Sequence, residues 1–190
     1  MANKYILSIS DNYPESYWFK CKVGGGVDGS IFKEGVSIGE PPEVEFVNEK
    51  KVSIPRLMEY DFLYSDGPNL ISPRLYQLLA EACITGVQFI DAQVIIAGQR
   101  YDGYKIFNVT SRAAVFDKDE SIGEPLISYL PDGPKYYKKI VLNEGVELNF
   151  DIVRAAEQFT TIIASKKLAE LCNSHEIIGL KFVEDFSEAM

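Results

Sequence analysis

Residues 72–90 read Ser72-Pro73-Arg74-Leu75-Tyr76-Gln77-Leu78-Leu79-Ala80-Glu81-Ala82-Cys83-Ile84-Thr85-Gly86-Val87-Gln88-Phe89-Ile90. A serine can cap the unbonded amides at a helix start. Proline suits the first helical position, because the N–H it lacks would go unpaired there. Leu75, Leu78 and Leu79 fall at i, i+3 and i+4, so the helix carries one apolar stripe to bury on a sheet. Gly86 then stops the helix, and Val87 to Ile90 begins a strand. The same plan returns 93 residues later. Ser72, Leu75 and Leu78 become Ser165, Leu168 and Leu171; Ile84, Gly86 and Phe89 become Ile177, Gly179 and Phe182. Leu70/Ile163, Val87/Leu180 and Ile90/Val183 agree in apolar character. The implied fold class is α+β: a mixed or antiparallel sheet with a few short helices, containing a duplicated strand–helix–strand unit at 70–90 and 163–183. A duplicated framework accounts for these residues as core and punctuation, with no catalytic duty.

Working outward, residues 1–56 are β-rich. Lys4–Ile9, Ser16–Val23 and Glu43–Val47 read as strands, separated by a glycine-rich turn at Gly24–Gly29 and a stop at Pro41-Pro42. Arg56–Leu63 is ambiguous, and Asp66-Gly67-Pro68 is a turn. Gln93–Tyr101 and Tyr104–Val109 flank Asp102-Gly103, a strong hairpin signal. Arg112–Asp117, Lys138–Leu142 and Val146–Val153 read as further strands, with loops at Asp132-Gly133-Pro134 and Asn143-Glu144-Gly145.

The chain has 190 residues and a formal net charge of -9, with 46% hydrophobic and 25% charged residues. That composition supports a buried core in a single domain spanning 1–190. The acidic balance disfavours nucleic acid, which needs clustered Lys and Arg facing phosphates, and suits a basic protein partner. The N-terminus lacks the roughly 7–15-residue apolar stretch of a secretory signal, and no run approaches the ~18 apolar residues of a membrane span. Cys21, Cys83 and Cys172 are odd in number and far apart, which points to reduced core thiols in a cytoplasmic protein.

Motifs for chemistry are weak. His175 is the sole histidine, so a Ser-His-Asp or Cys-His centre would have to use it; a helix-end position is the simpler reading. Gly24-x-Gly26-x-x-Gly29 spells a dinucleotide fingerprint, yet Ser30–Gly35 is too short for the helix that must follow. A calcium loop counted from Asp117 would need glycine and glutamate where Ile122 and Ser128 stand. No catalytic residue, cofactor or metal site is therefore expected. Tyr101, Asp102 and Tyr104 beside the expected hairpin turn, and Asp117, Asp119 and Glu120 in an acidic loop, are the candidate partner-binding residues. Tyr136 and Tyr137 are further interface candidates.

Asp61-Phe62-Leu63, Leu70-Ile71-Ser72-x-x-Leu75 and Thr85–Ile90 together carry a resemblance to a bacterial immunity-protein family. Tyr104–Val109, Ala114-Val115-Phe116-Asp117 through Ser121, and the late Ser165-x-x-Leu168 unit ending in Gly179-Leu180-x-Phe182 extend it over about residues 57–184. That family, first catalogued as a domain of unknown function, is assigned to polymorphic-toxin loci. The resemblance implies a single immunity-type domain: a cytoplasmic, non-enzymatic protein that neutralises a cognate toxin. From composition, neither a membrane nor a nucleic-acid partner is expected. It brings no catalytic residues with it. A homo-oligomer is compatible but not implied. The alternatives are a self-assembling scaffold, and a hydrolase that uses paired carboxylates in a cleft.

Overall fold

The computed structural model describes residues 2–130 and 133–187, so Asp132 of the expected Asp132-Gly133-Pro134 loop lies outside the described residues. In chain order the elements are β1 (Lys4–Ile9), β2 (Lys20–Val23), β3 (Val44–Asn48), α1 (Ile54–Leu57), β4 (Phe62–Leu63), β5 (Leu70–Ile71) and α2 (Pro73–Glu81). Then come β6 (Val87–Asp91), β7 (Gln93–Ile96), β8 (Gln99–Tyr101), β9 (Lys105–Val109), β10 (Arg112–Ala113), β11 (Ile122–Pro125) and β12 (Lys135–Val141). The last are β13 (Ile152–Ala155), β14 (Ile162–Ser165), α3 (Lys166–Ser174), β15 (Leu180–Val183) and β16 (Asp185–Ser187). Among the described residues these form sheets in the orders β10-β13-β14-β1-β15, β4-β5-β9-β6, β2-β3-β7-β8 and β11-β12-β16. All pairings are antiparallel except β10 with β13 and β3 with β7. The α+β expectation is borne out.

Helices α2 and α3 start as their serines require. Ser72 Oγ accepts from Leu75 N at 3.1 Å, and Ser165 Oγ accepts from Leu168 N at 3.3 Å. Leu75, Leu79, Leu168 and Cys172 meet Phe62, Phe107, Ile152 and Ile162 in one core cluster, so the two helices and the sheets beside them share an interior. The ladders correspond in register. Leu70 and Ile90 flank Ile106 on β9, while Ile163 and Val183 flank Ile6 on β1. The middle strand thus follows the first helix unit in the chain but precedes the second.

The glycines do a different job from the one expected of Gly86. Each helix is ended earlier, by Cys83 and Glu176, both at φ 50, with Ile84 N bonding to Leu79 O and Ile177 N to Cys172 O. Gly86, at φ +87, instead lets Ile152 O approach to 2.1 Å from where a Cβ would stand. Gly179, at φ +113, does the same for Phe62 O at 2.2 Å.

Asp102-Gly103 is not a hairpin turn. The reversal falls at Ala97 (φ 50) and Gly98 (φ 80), whose paired positive φ matches the twist of β7 and β8. Val94 opposes Tyr101 while Ile90 opposes Ile106, so one extra residue sits on the second arm around Asp102-Gly103. That bulge carries the long hairpin from one sheet into another.

Other expected strands are shorter. Ser16–Val23 begins with a 3-10 turn at Glu15–Tyr17, because Tyr17 buries edge-on against Tyr13 and Tyr60, and only Lys20–Val23 pairs as a strand. Arg56–Leu63 divides into the end of α1 and the short β4. Arg112–Asp117 pairs only at Arg112–Ala113, with an isolated bridge from Phe116 to Leu142. Val146–Val153 joins a ladder only from Ile152; Val146 and Leu148 still pack on the cluster around Val115 and Ile140. After Gly24–Gly29 comes a 3-10 turn, Gly29–Lys33, which Asp28 caps through Ser30 N. Of the cysteines, Cys172 is a core thiol with its pKa pushed up to about 12 by burial, Cys21 is half-buried, and Cys83 is exposed because its left-handed turn lies on the surface.

Candidate functional site

Four pieces of chain converge on a groove of about 680 Å³. Met58 and Glu59 come from the turn after α1, Ser72, Pro73 and Arg74 from the start of α2, and Glu176 and Ile178 from the turn after α3. The bulge supplies Tyr101, Asp102 and Tyr104, with Asp61 on the same lining. The bulge reaches this place because Gly103, at φ +88, leaves room against Pro73.

Asp61 organises the groove. Its Oδ1 accepts from Ser72 Oγ at 2.8 Å and Arg74 Nε at 3.0 Å; its Oδ2 accepts from Arg74 Nη2 at 2.5 Å and Ile178 N at 3.1 Å. Ser72 thus relays between the amide of Leu75 and a buried carboxylate, and the helix cap and the ion pair form one network. The Arg74 fork also donates to His175 O at 3.4 Å and Glu176 O at 3.3 Å, tying α2 to the turn after α3. Hydrogen bonding to Asp61 raises the Arg74 pKa further. With four donors on its oxygens, Asp61 is committed to joining the start of α2 to the turn after α3. Its charge is answered locally, which leaves Glu59, Asp102 and Glu176 to set the sign of the lining.

Of the sequence-predicted contact residues, Tyr101, Asp102 and Tyr104 come together here. Tyr101 is half-buried and donates to Gln99 Oε1 at 3.1 Å; Asp102 is exposed and pairs with Arg100 at 3.0 Å. Tyr104 is only 3% exposed and stands behind the groove wall as part of the core, and burial raises its pKa. Asp117, Asp119 and Glu120 lie apart, on the loop between β10 and β11. Asp117 Oδ1 accepts from Asp119 N at 2.9 Å and Glu120 N at 3.0 Å, so its carboxylate shapes its own turn. Tyr136 is exposed, whereas Tyr137 packs edge-on against Phe116 at 4.9 Å. His175 caps the end of α3 on the surface, with Nδ1 3.0 Å from Leu171 O.

Glu59, Arg74, Glu176 and Ile178 were not among the sequence candidates. Their common feature is position beside a helix end, visible only once the two helix units are brought together. Asp61 opens one of the segments carrying the family resemblance, but no local pattern announces its four donors. Among the described residues no helix is long and apolar enough to cross a membrane.

No curated protein matches the chain. A family model described as the immunity protein family Imm11 matches residues 10–185, a span that takes in both helix units and every residue of the groove, and the chain belongs to that family.

Proposed function

We propose that this protein binds a cognate bacterial toxin in the cytoplasm and neutralises it by contact, without turnover. Membership of the immunity protein family carries this reading. The net charge of -9 supports it, since a negative surface complements the Lys and Arg that a toxin acting on phosphates or anionic substrates presents. The groove face with Tyr101 and Asp102, and the loop bearing Asp117, Asp119 and Glu120, supply the acidic contact. An interface of about 1,600 Å² would draw 20–30 residues from each partner, so contacts outside any single motif are expected. The test is co-expression with the toxin domain encoded in the adjacent upstream reading frame. Restored growth and a stoichiometric complex of the purified proteins are the expected results. Continued killing at full expression of both proteins would overturn the reading.

A second reading, self-association, rests on the β11–β12 hairpin, whose tip exposes Leu126, Ile127, Tyr129 and Leu130, Tyr129 by 86%. Apolar groups gathered at one tip favour burial against another surface. Sedimentation of the purified chain at rising concentration separates this reading from the first.

A further inference from the structure

We propose that the groove beside Asp61 receives a lysine- or arginine-bearing segment of the partner protein. This rests on the neutralisation reading above and names the chemistry of the contact.

The lining has two characters. Met58 and Ile178 are each 43% exposed, and with Pro73 and the Tyr101 ring they give the groove an apolar surface open to solvent. Glu59, Asp102 and Glu176 add carboxylates to that same lining. Arg74, the one guanidinium there, is already committed: Nε and Nη2 hold Asp61, and Nη1 and Nη2 reach the carbonyls of His175 and Glu176. An anionic ligand would meet three carboxylates with no uncommitted cation in the lining to receive it. A purely apolar ligand would strip water from those carboxylates and return no hydrogen bond. A long basic side chain satisfies both characters, because its methylene stem packs on apolar walls while its charged head pairs with carboxylates.

Size argues for more than one side chain. At about 680 Å³ the groove falls within the range of roughly 300–1,000 Å³ that encloses drug-sized ligands, enough for a short peptide segment around the basic residue. Asp102 pairs with Arg100 at the surface, and that exposed pair, with Asp102 80% accessible, is weak enough to exchange for a partner cation.

The experiment compares the wild type with the triple variant Glu59→Lys/Asp102→Lys/Glu176→Lys and with Ile178→Ser. The probe is the toxin domain from the adjacent upstream frame, disabled by an active-site substitution. All four substituted side chains are exposed, and circular dichroism with a thermal melt verifies that each variant is folded. The triple variant is expected to bind about tenfold or more weakly, with slower association and a flatter salt dependence. Ile178→Ser is expected to weaken binding several-fold with the salt dependence unchanged, by loss of apolar contact. Wild-type affinity and salt dependence in a folded triple variant would overturn the groove assignment while leaving neutralisation intact. Failure of the wild type to bind the toxin domain would overturn both.

Discussion

Asp61 and Asp151 occupy matching places beside the two helix units and are built differently. Each accepts from the serine that caps its own helix, Ser72 at 2.8 Å and Ser165 at 3.2 Å. Each takes the basic residue two positions further on, Arg74 for Asp61 and Lys167 for Asp151. Each also reaches across to a backbone amide of the other unit, Ile178 N at 3.1 Å and Thr85 N at 3.0 Å. The pattern is reciprocal: each carboxylate fastens its own cap to the turn that leaves the opposite helix. The difference lies in the cation and the depth. Arg74 grips with a two-pronged fork and the Asp61 side chain is 3% exposed; Lys167 makes a single contact at 3.2 Å and the Asp151 side chain is 13% exposed. A delocalised fork holds a carboxylate in fixed orientation, whereas an ammonium acts as a point charge on a flexible stem. The rigid site is the one lining the groove, so the unit that presents a surface is also the one whose frame is pinned harder.

The largest expected effect tests whether the two units really meet through matching close approaches. Gly86→Ala and Gly179→Ala should each cost about 2–4 kcal/mol, because a Cβ would collide with a backbone carbonyl and the positive φ would be strained. Chemical denaturation measures this, and a loss at only one glycine would break the comparison. Next in size, Asp61→Ala should destabilise by about 2–3 kcal/mol and Asp151→Ala by about 1–2 kcal/mol, since each loss strands the donors of its carboxylate but those around the deeper, fork-bonded Asp61 have less access to water. Equal losses would show that the fork adds nothing.

The smallest effect is a dependence on pH. Burial by itself would raise the Asp151 pKa, but the Thr85 amide and hydroxyl together with Lys167 outweigh it and hold the group below its ordinary value. A lowered folded pKa means that the unfolded chain takes the proton first as pH falls. The stabilisation is therefore fully present above the unfolded value of about 3.9 and is lost as pH drops through the folded one. The stability gap between wild type and Asp151→Asn should hold from pH 7 to 5 and close below about pH 4. A gap that widened on acidification would reverse the assignment.

Much of this frame was readable beforehand. The capped helices at Ser72 and Ser165, the turns at Asp66-Gly67-Pro68 and Asn143-Glu144-Gly145, and the strands at Lys4–Ile9 and Val87–Ile90 all appear where expected. Each depends on neighbours a few residues away. Asp102-Gly103 misled because a dipeptide suited to positive φ serves a bulge as well as a turn; pairing across the sheet, set by Ala97-Gly98, chose between them. The middle strands were hidden for a topological reason. β9 follows the first unit while β1 precedes the second, so no single offset aligns them. Of the groove, Tyr101, Asp102 and the buried Tyr104 are marked by their sequence neighbourhood, while Glu59, Arg74, Glu176 and Ile178 are not.

By itself the amino-acid order determined the two helices, their serine starts and the apolar stripes they bury, because capping and amphipathic spacing act within a turn or two of chain. It also set the acidic balance, a property of composition. Only the folded chain decided that β1 would complete the second unit's ladder, that Asp61 would meet Ile178 and Asp151 would meet Thr85, and that a groove would open beside one of these clips. The two aspartate clips join residues 66 and 117 positions apart, and the β1 ladder joins residues farther apart still, so pairing is selected by burial and backbone hydrogen bonding across the whole core rather than by any local preference.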